Sequence, residues 1–134
     1  MTTRVARARG GAILKALFSL TAVLTALLGL GWLFATHHML ALWGVQGDAV
    51  AVYMSRRYAG LFFGYTVIMW MGRSAPSTVT RTAIVAGGAA VTAVMAAVSL
   101  MGVLNGTVGP MAWSAVAIEV GLALAFSYFY ATAR

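Results

Sequence analysis

Four apolar runs, each near the length needed to cross a bilayer and joined by short polar turns, constrain this chain more than any other feature. They cover about residues 12–36, 50–72, 82–104 and 110–131. A hydrocarbon core of about 30 Å takes roughly 20 helical residues at 1.5 Å each. Inside lipid, every backbone N–H and C=O must be satisfied within the segment, which leaves helices as the natural form of such runs. Composition agrees. Charged residues make up 8% of the chain and apolar residues 62%, whereas a soluble domain carries about a quarter charged residues. So few charges cannot coat a surface in water, and so many apolar residues do not fit inside one small core. The expectation is an all-α fold, a single four-transmembrane-helix bundle over 1–134, with no internal repeat.

Residues 1–11 carry Arg4, Arg7 and Arg9 without an apolar period and read as a mobile basic tail. A basic start before an apolar stretch resembles a signal peptide. The 12–36 run, broken only by Lys15, is too long for that and is followed by no small-residue cleavage pattern, so an uncleaved first span is expected. In the 37–49 connection, His38–Trp43 suits a short helix lying in the interface, Gly44 and Gly47 punctuate it, and Asp48 suits the N-cap of the next helix. In the 73–81 loop Pro76 breaks the helix and Ser77 or Thr78 caps the following one. Asn105-Gly106 signals a turn, and Pro110 suits the first turn of the last span.

The second run is anomalous. Tyr58–Met71 is free of charge but supplies only about 21 Å of helix. The span must therefore begin near 49–53 and take Arg56 and Arg57 with it. The remaining Lys and Arg residues, Arg4, Arg7, Arg9, Lys15, Arg73, Arg81 and Arg134, fall in the N-terminal segment, the 73–81 loop and the C-terminus; loops 37–48 and 105–110 have none. The positive-inside rule then puts both termini in the cytoplasm. Trp32, Trp43 and Trp113 fall at the outer interface, and Trp70, Tyr128 and Tyr130 at the inner one, as aromatic belts do.

Glu119 is the sole acidic residue in any run, and it lies about 13 Å deep from the outer end of the fourth. A carboxylate at that depth needs a partner, a proton or water. Arg56 and Arg57 enter from the same side, so a Glu119–arginine pair is expected, with Arg57 inward and Arg56 reaching back toward the interface. Gly60 and Gly64, spaced i, i+4 below Arg56, form a small-residue seam for helix packing, and Gly87 and Gly88 offer another on the third span. The ion pair has two readings: a structural clamp, or a site for a ligand.

The net charge of +7 fits anionic lipid headgroups, not nucleic acid, because no basic stripe interleaves with aromatics. With no cysteine, thiol catalysis and disulfides are excluded. His37 and His38 are adjacent, so on a helix their rings diverge by about 100° and no metal site is expected. No phosphate-loop, nucleophile-elbow or zinc-helix pattern occurs, so neither enzyme activity nor a cofactor is expected.

Ala112–Tyr128, AWSAVAIEVGLALAFSY, with one Glu in an alanine-rich span, resembles the glutamate helix of small multidrug resistance transporters, four-helix proteins of similar length whose Glu lies in the first helix. That resemblance implies ligand transport centred on Glu119. The basic start, the Trp43-Gly44 loop and the Arg57-x-x-Gly60 entry are similar to small four-helix, DoxX-like proteins of bacterial inner membranes. The expected role is an accessory or scaffold subunit that packs with itself or with a larger membrane complex. The alternative is a minimal transporter or binding protein using Glu119 and Arg57.

Overall fold

A computed structural model describes the backbone of residues 2–75 and 78–132, with side-chain surroundings from residue 10 onward. It is all-α, with no strand among the described residues. The helices are α1 (Thr2–Phe34), α2 (Thr36–Leu42), α3 (Ala49–Gly72), α4 (Thr78–Leu104) and α5 (Ala112–Thr132). Three of them contain segments long and apolar enough to cross a membrane: Gly10–Phe34, Thr78–Leu104 and Ala112–Thr132. Large apolar side chains stand exposed around the bundle, among them Leu20, Leu27, Val67, Val94, Met101 and Leu124. Such extensive apolar exposure is foreign to a monomer in water and ordinary against lipid.

Local chemistry sets the boundaries. α1 begins at Thr2, so the stretch expected as an irregular tail is helical in its backbone. Arg and Ala are strong helix formers, and the apolar run behind them supplies the nucleus they extend. At Ala35 the backbone leaves helical geometry and separates α1 from α2, while the Thr36 hydroxyl donates to the Trp32 carbonyl at 2.6 Å. Asp48 caps α3 as expected, its carboxylate accepting from the Ala51 N–H at 2.7 Å. α4 starts earlier than residue 82, and α5 starts at Ala112, just past Pro110. Pro76 and Ser77 lie outside the described residues.

Helices α2 and α4 end in the same way. Gly44 and Gly106 both have φ near +68°, which suits glycine because it lacks a Cβ. Val45 N–H donates to Leu40 and Gly44 N–H to Ala41; Thr107 N–H donates to Gly102 and Gly106 N–H to Val103. This doubled pattern is the Schellman motif, which satisfies the last carbonyls of a helix. The two loops then meet: Gly109 N–H donates to the Trp43 carbonyl at 2.7 Å, and a Cβ on Gly44 would lie 3.2 Å from Gly109.

The long helices pack as two antiparallel pairs. α1 runs along α3, with Gly29 against the Phe62 and Phe63 side chains and Thr25 bonded to Thr66 at 2.8 Å. α4 runs along α5, with Gly88 against the Phe126 ring. The pairs join in a buried cluster of Phe18, Ala22, Met69, Val85 and Phe126, where the Phe18 and Phe126 rings are 6.2 Å apart. Gly72 lets Ile84 and Phe18 approach α3 there. This cluster lies toward the Arg73 end of the bundle; α2 and the Gly109 loop close the other, the α2 end.

Candidate intramembrane polar site

Glu119 and the arginines of α3 do not meet. No ion pair links Glu119 to Arg56 or Arg57 among the described residues. Both arginines are exposed, and Arg57 instead hydrogen-bonds the Tyr53 hydroxyl at 3.4 Å and lies 5.8 Å from the centre of that ring. Register explains this correction. Phe18 touches both Gly72 and Phe126, so those residues share a level. Arg57 lies 15 residues from Gly72 and Glu119 seven from Phe126, which places their backbones about 22 and 10 Å from that level. Side chains lean toward the N-terminus of their helix. α3 and α5 both start at the α2 end, so both groups lean the same way and the offset does not close.

The partner of Glu119 is on α4. The Ser99 hydroxyl lies near enough to interact with the Glu119 carboxyl. That contact is local to the α4–α5 hairpin, and the outward lean of Glu119 brings it up to the Ser99 level. Its oxygen Oε2 is buried without a hydrogen-bond partner among the described residues. Glu119 thus has a hydroxyl neighbour on α4 and a buried oxygen that the described residues leave unpartnered.

The glycine seams divide in the same way. A Cβ at Gly88 would stand 3.1 Å from the Phe126 ring, so this seam is filled from within the chain. At Gly60, Gly64 and Gly87 a Cβ would meet nothing within 4 Å. Gly60 and Gly64 therefore face away from α1, continuing below the exposed Arg56.

The 73–81 arginines are anchored. Arg73 stacks on the Trp70 ring, 3.3 Å from its centre, and Arg81 Nε donates to the Ala75 carbonyl at 2.6 Å. Trp32 and Trp43 pack together at 6.2 Å at the α2 end. His37 and His38 are exposed on α2, and no metal-ligand cluster of His, Cys, Asp or Glu occurs among the described residues. A shallow open groove beside Thr78, Thr82 and Tyr130 does not include Glu119.

Sequence reasoning passed over Ser99, Thr21, Thr25, Tyr65 and Thr66. Their hydroxyls sit inside apolar runs, and that was the available signal, since a polar atom in lipid needs a partner. No protein-family model, curated protein or solved structure matches the chain.

Proposed function

We propose that this chain is a multi-pass inner-membrane protein that crosses four times with both termini in the cytoplasm, and that it works as an assembling subunit whose contact face is α3. The carrying observation is the outward face of α3. It joins Arg56 and Arg57 to the open Gly60 and Gly64. α3 packs along α1, so the two occupy the same slab of membrane. Yet α3 is the one long helix whose composition falls short of a membrane span. Arginines and bare glycine backbone are poor neighbours for lipid. Small residues at i, i+4 instead let a second helix approach closely, which is the main source of helix association in membranes.

A second copy of the chain is the occupant that fits this face. The α3 stripe is smooth and narrow, and α4 of another copy offers its own open small-residue position at Gly87. Arg56 and Arg57 then lie at headgroup depth at the rim, where they contact anionic lipid. Native mass spectrometry from mild detergent tests the proposal. The expected result is an oligomer that Gly60→Leu and Gly64→Leu reduce to monomer. A wild-type monomer, or an oligomer indifferent to both changes, contradicts it. The reading of Glu119 and Arg57 as one ligand site has no geometry behind it.

A further inference from the structure

Arg56 and Arg57 stand exposed toward the α2 end of α3. A helix turns about 100° per residue, so Arg56 lies about 40° to one side of Gly60 and Arg57 about 60° to the other. Tyr53, also exposed, falls between them, one turn nearer the start of the helix. The two arginines thus straddle the top of the Gly60–Gly64 stripe, and Tyr53 closes it. Arg57 donates to the Tyr53 hydroxyl at 3.4 Å, which leaves the phenol its own proton to give to another acceptor.

No acid of this chain reaches these arginines. The sequence has two acidic residues, Asp48 and Glu119. Measured from the level where Phe18 meets Gly72 and Phe126, the arginines are about 22–24 Å away and Glu119 about 10 Å. Asp48 is 24 residues from Gly72, which places it about 36 Å from that level, and its carboxylate caps α3. One acid is therefore about 12 Å too deep and the other about 12 Å too shallow. Exposed charges farther apart than the Debye length, about 8 Å at physiological salt, are largely screened. Copies that share an orientation in the membrane share these depths, so a second copy brings no acid to the arginines either. Its α4 has none at all, and its α3 brings two more arginines. Seating a helix on the stripe also takes water from the flanks of Arg56 and Arg57, and an unpaired charge resists that.

The counter-charge must come from outside the chain, and the site defines its chemistry. Two guanidinium groups hold a phosphate through paired, charge-assisted N–H donors, and the phenol adds a third donor. A zwitterionic headgroup returns a cation with each phosphate, whereas an anionic one does not. Exposed Leu61 and Ile68 stand on the Arg57 side of the stripe, about 80–100° round from Gly60, so acyl chains can lie there without entering the seam. We propose that Tyr53, Arg56 and Arg57 form a headgroup site for an anionic phospholipid, and that filling this site is what allows a second copy to seat on α3. The proposal rests on assembly through α3 and supplies the counter-charge that such assembly needs.

Energy transfer between labelled copies in vesicles tests the coupling. Ser74→Cys supplies the labelling point, since Ser74 is exposed and the chain has no cysteine. Donor- and acceptor-labelled protein is reconstituted in phosphatidylcholine with increasing phosphatidylglycerol, at constant ionic strength and graded protein-to-lipid ratios. Phosphatidylglycerol is expected to tighten self-association about tenfold, a typical coupling between two sites, and to saturate. Arg56→Gln/Arg57→Gln is expected to associate equally in both lipids. Arg56→Gln and Arg57→Gln singly are expected to reduce the response partway, which decides the matter if the double variant does not fold. Equal association of the otherwise wild-type protein in the two lipids overturns the proposal and leaves assembly standing. A phosphatidylglycerol response unchanged in the double variant also overturns it. Inorganic phosphate that reproduces the response in pure phosphatidylcholine overturns the lipid as its source. No association in any lipid, for the wild-type sequence or the double variant, contradicts assembly through α3 itself and this coupling with it.

Discussion

The two helix pairs use one packing device and differ in how they handle polar groups. In α1–α3, Gly29 receives the Phe62 and Phe63 side chains; in α4–α5, Gly88 receives Phe126. Each is a glycine seat for an aromatic ring, which brings two backbones close where lipid offers no hydrophobic drive for association. The polar groups diverge. In α1–α3, Thr25 and Thr66 bond each other, and each also returns to its own helix, Thr25 to the Thr21 carbonyl and Thr66 to that of Phe62. In α4–α5, an acid stands in the seam instead, Glu119 with Ser99 as its neighbour. Both pairs also bury polar atoms without a partner among the described residues, Thr21 Oγ1 and Tyr65 Oη in the first and Glu119 Oε2 in the second. The first pair is thus joined by a hydroxyl–hydroxyl bond, and the second carries its lone acid beside a single hydroxyl.

The largest expected effect removes the shared anchor. Phe126 is 0% exposed, seats in Gly88 and faces Phe18. Phe126→Ala is expected to destabilise the bundle by about 3–5 kcal/mol, the usual range for a buried aromatic. Steric-trap or denaturant unfolding in detergent checks this, and a loss under about 1 kcal/mol would mean that the pairs do not join through this ring.

Next in size is a contrast between neighbours. Gly88→Leu forces a side chain into the Phe126 ring, whereas Gly87→Leu meets open space. The first is expected to cost about 1–3 kcal/mol as an overpacked site, and the second to leave the monomer's unfolding midpoint in place. Equal effects would erase the distinction between a filled seam and an open one.

Thr25→Val removes the hydroxyl bond between α1 and α3 while Thr66 keeps its bond to the Phe62 carbonyl. The loss is expected to be about 0.6 kcal/mol, typical of interhelical bonds in membranes. The smallest effect on the fold itself belongs to Gly60→Leu. Nothing within the chain lies near that position, so the monomer's unfolding midpoint stays unchanged while sedimentation velocity reports loss of the oligomer.

The sequence made the helices plain, because a bilayer imposes length and hydropathy directly. The short α2, the Asp48 cap and the turn at Asn105-Gly106 followed from capping and glycine chemistry. The start of α1 at Thr2 did not, since Arg and Ala carry no apolar period while remaining good helix formers. Glu119 stood out as a lone acid in an apolar run, but its partner did not. Depth counted from each helix's own end assumed that all ends are level. The contacts of Phe18 with Gly72 and Phe126 set a different register, which moves Arg57 beyond reach and leaves Ser99 as the neighbour. Register between helices lives in long-range packing, and a single sequence does not display it.

The central claim is that α3, despite its two arginines, is a fourth crossing. The chain has no cysteine, so single introduced thiols report sidedness without background. Gln46, Ser74 and Thr107 are exposed in three successive connections. Gln46→Cys, Ser74→Cys and Thr107→Cys are labelled with a membrane-impermeant maleimide in intact cells and in inverted membrane vesicles. Four crossings with the termini inside predict that Gln46→Cys and Thr107→Cys react in intact cells and Ser74→Cys only in inverted vesicles. Reaction of Gln46→Cys and Ser74→Cys from the same side would contradict it.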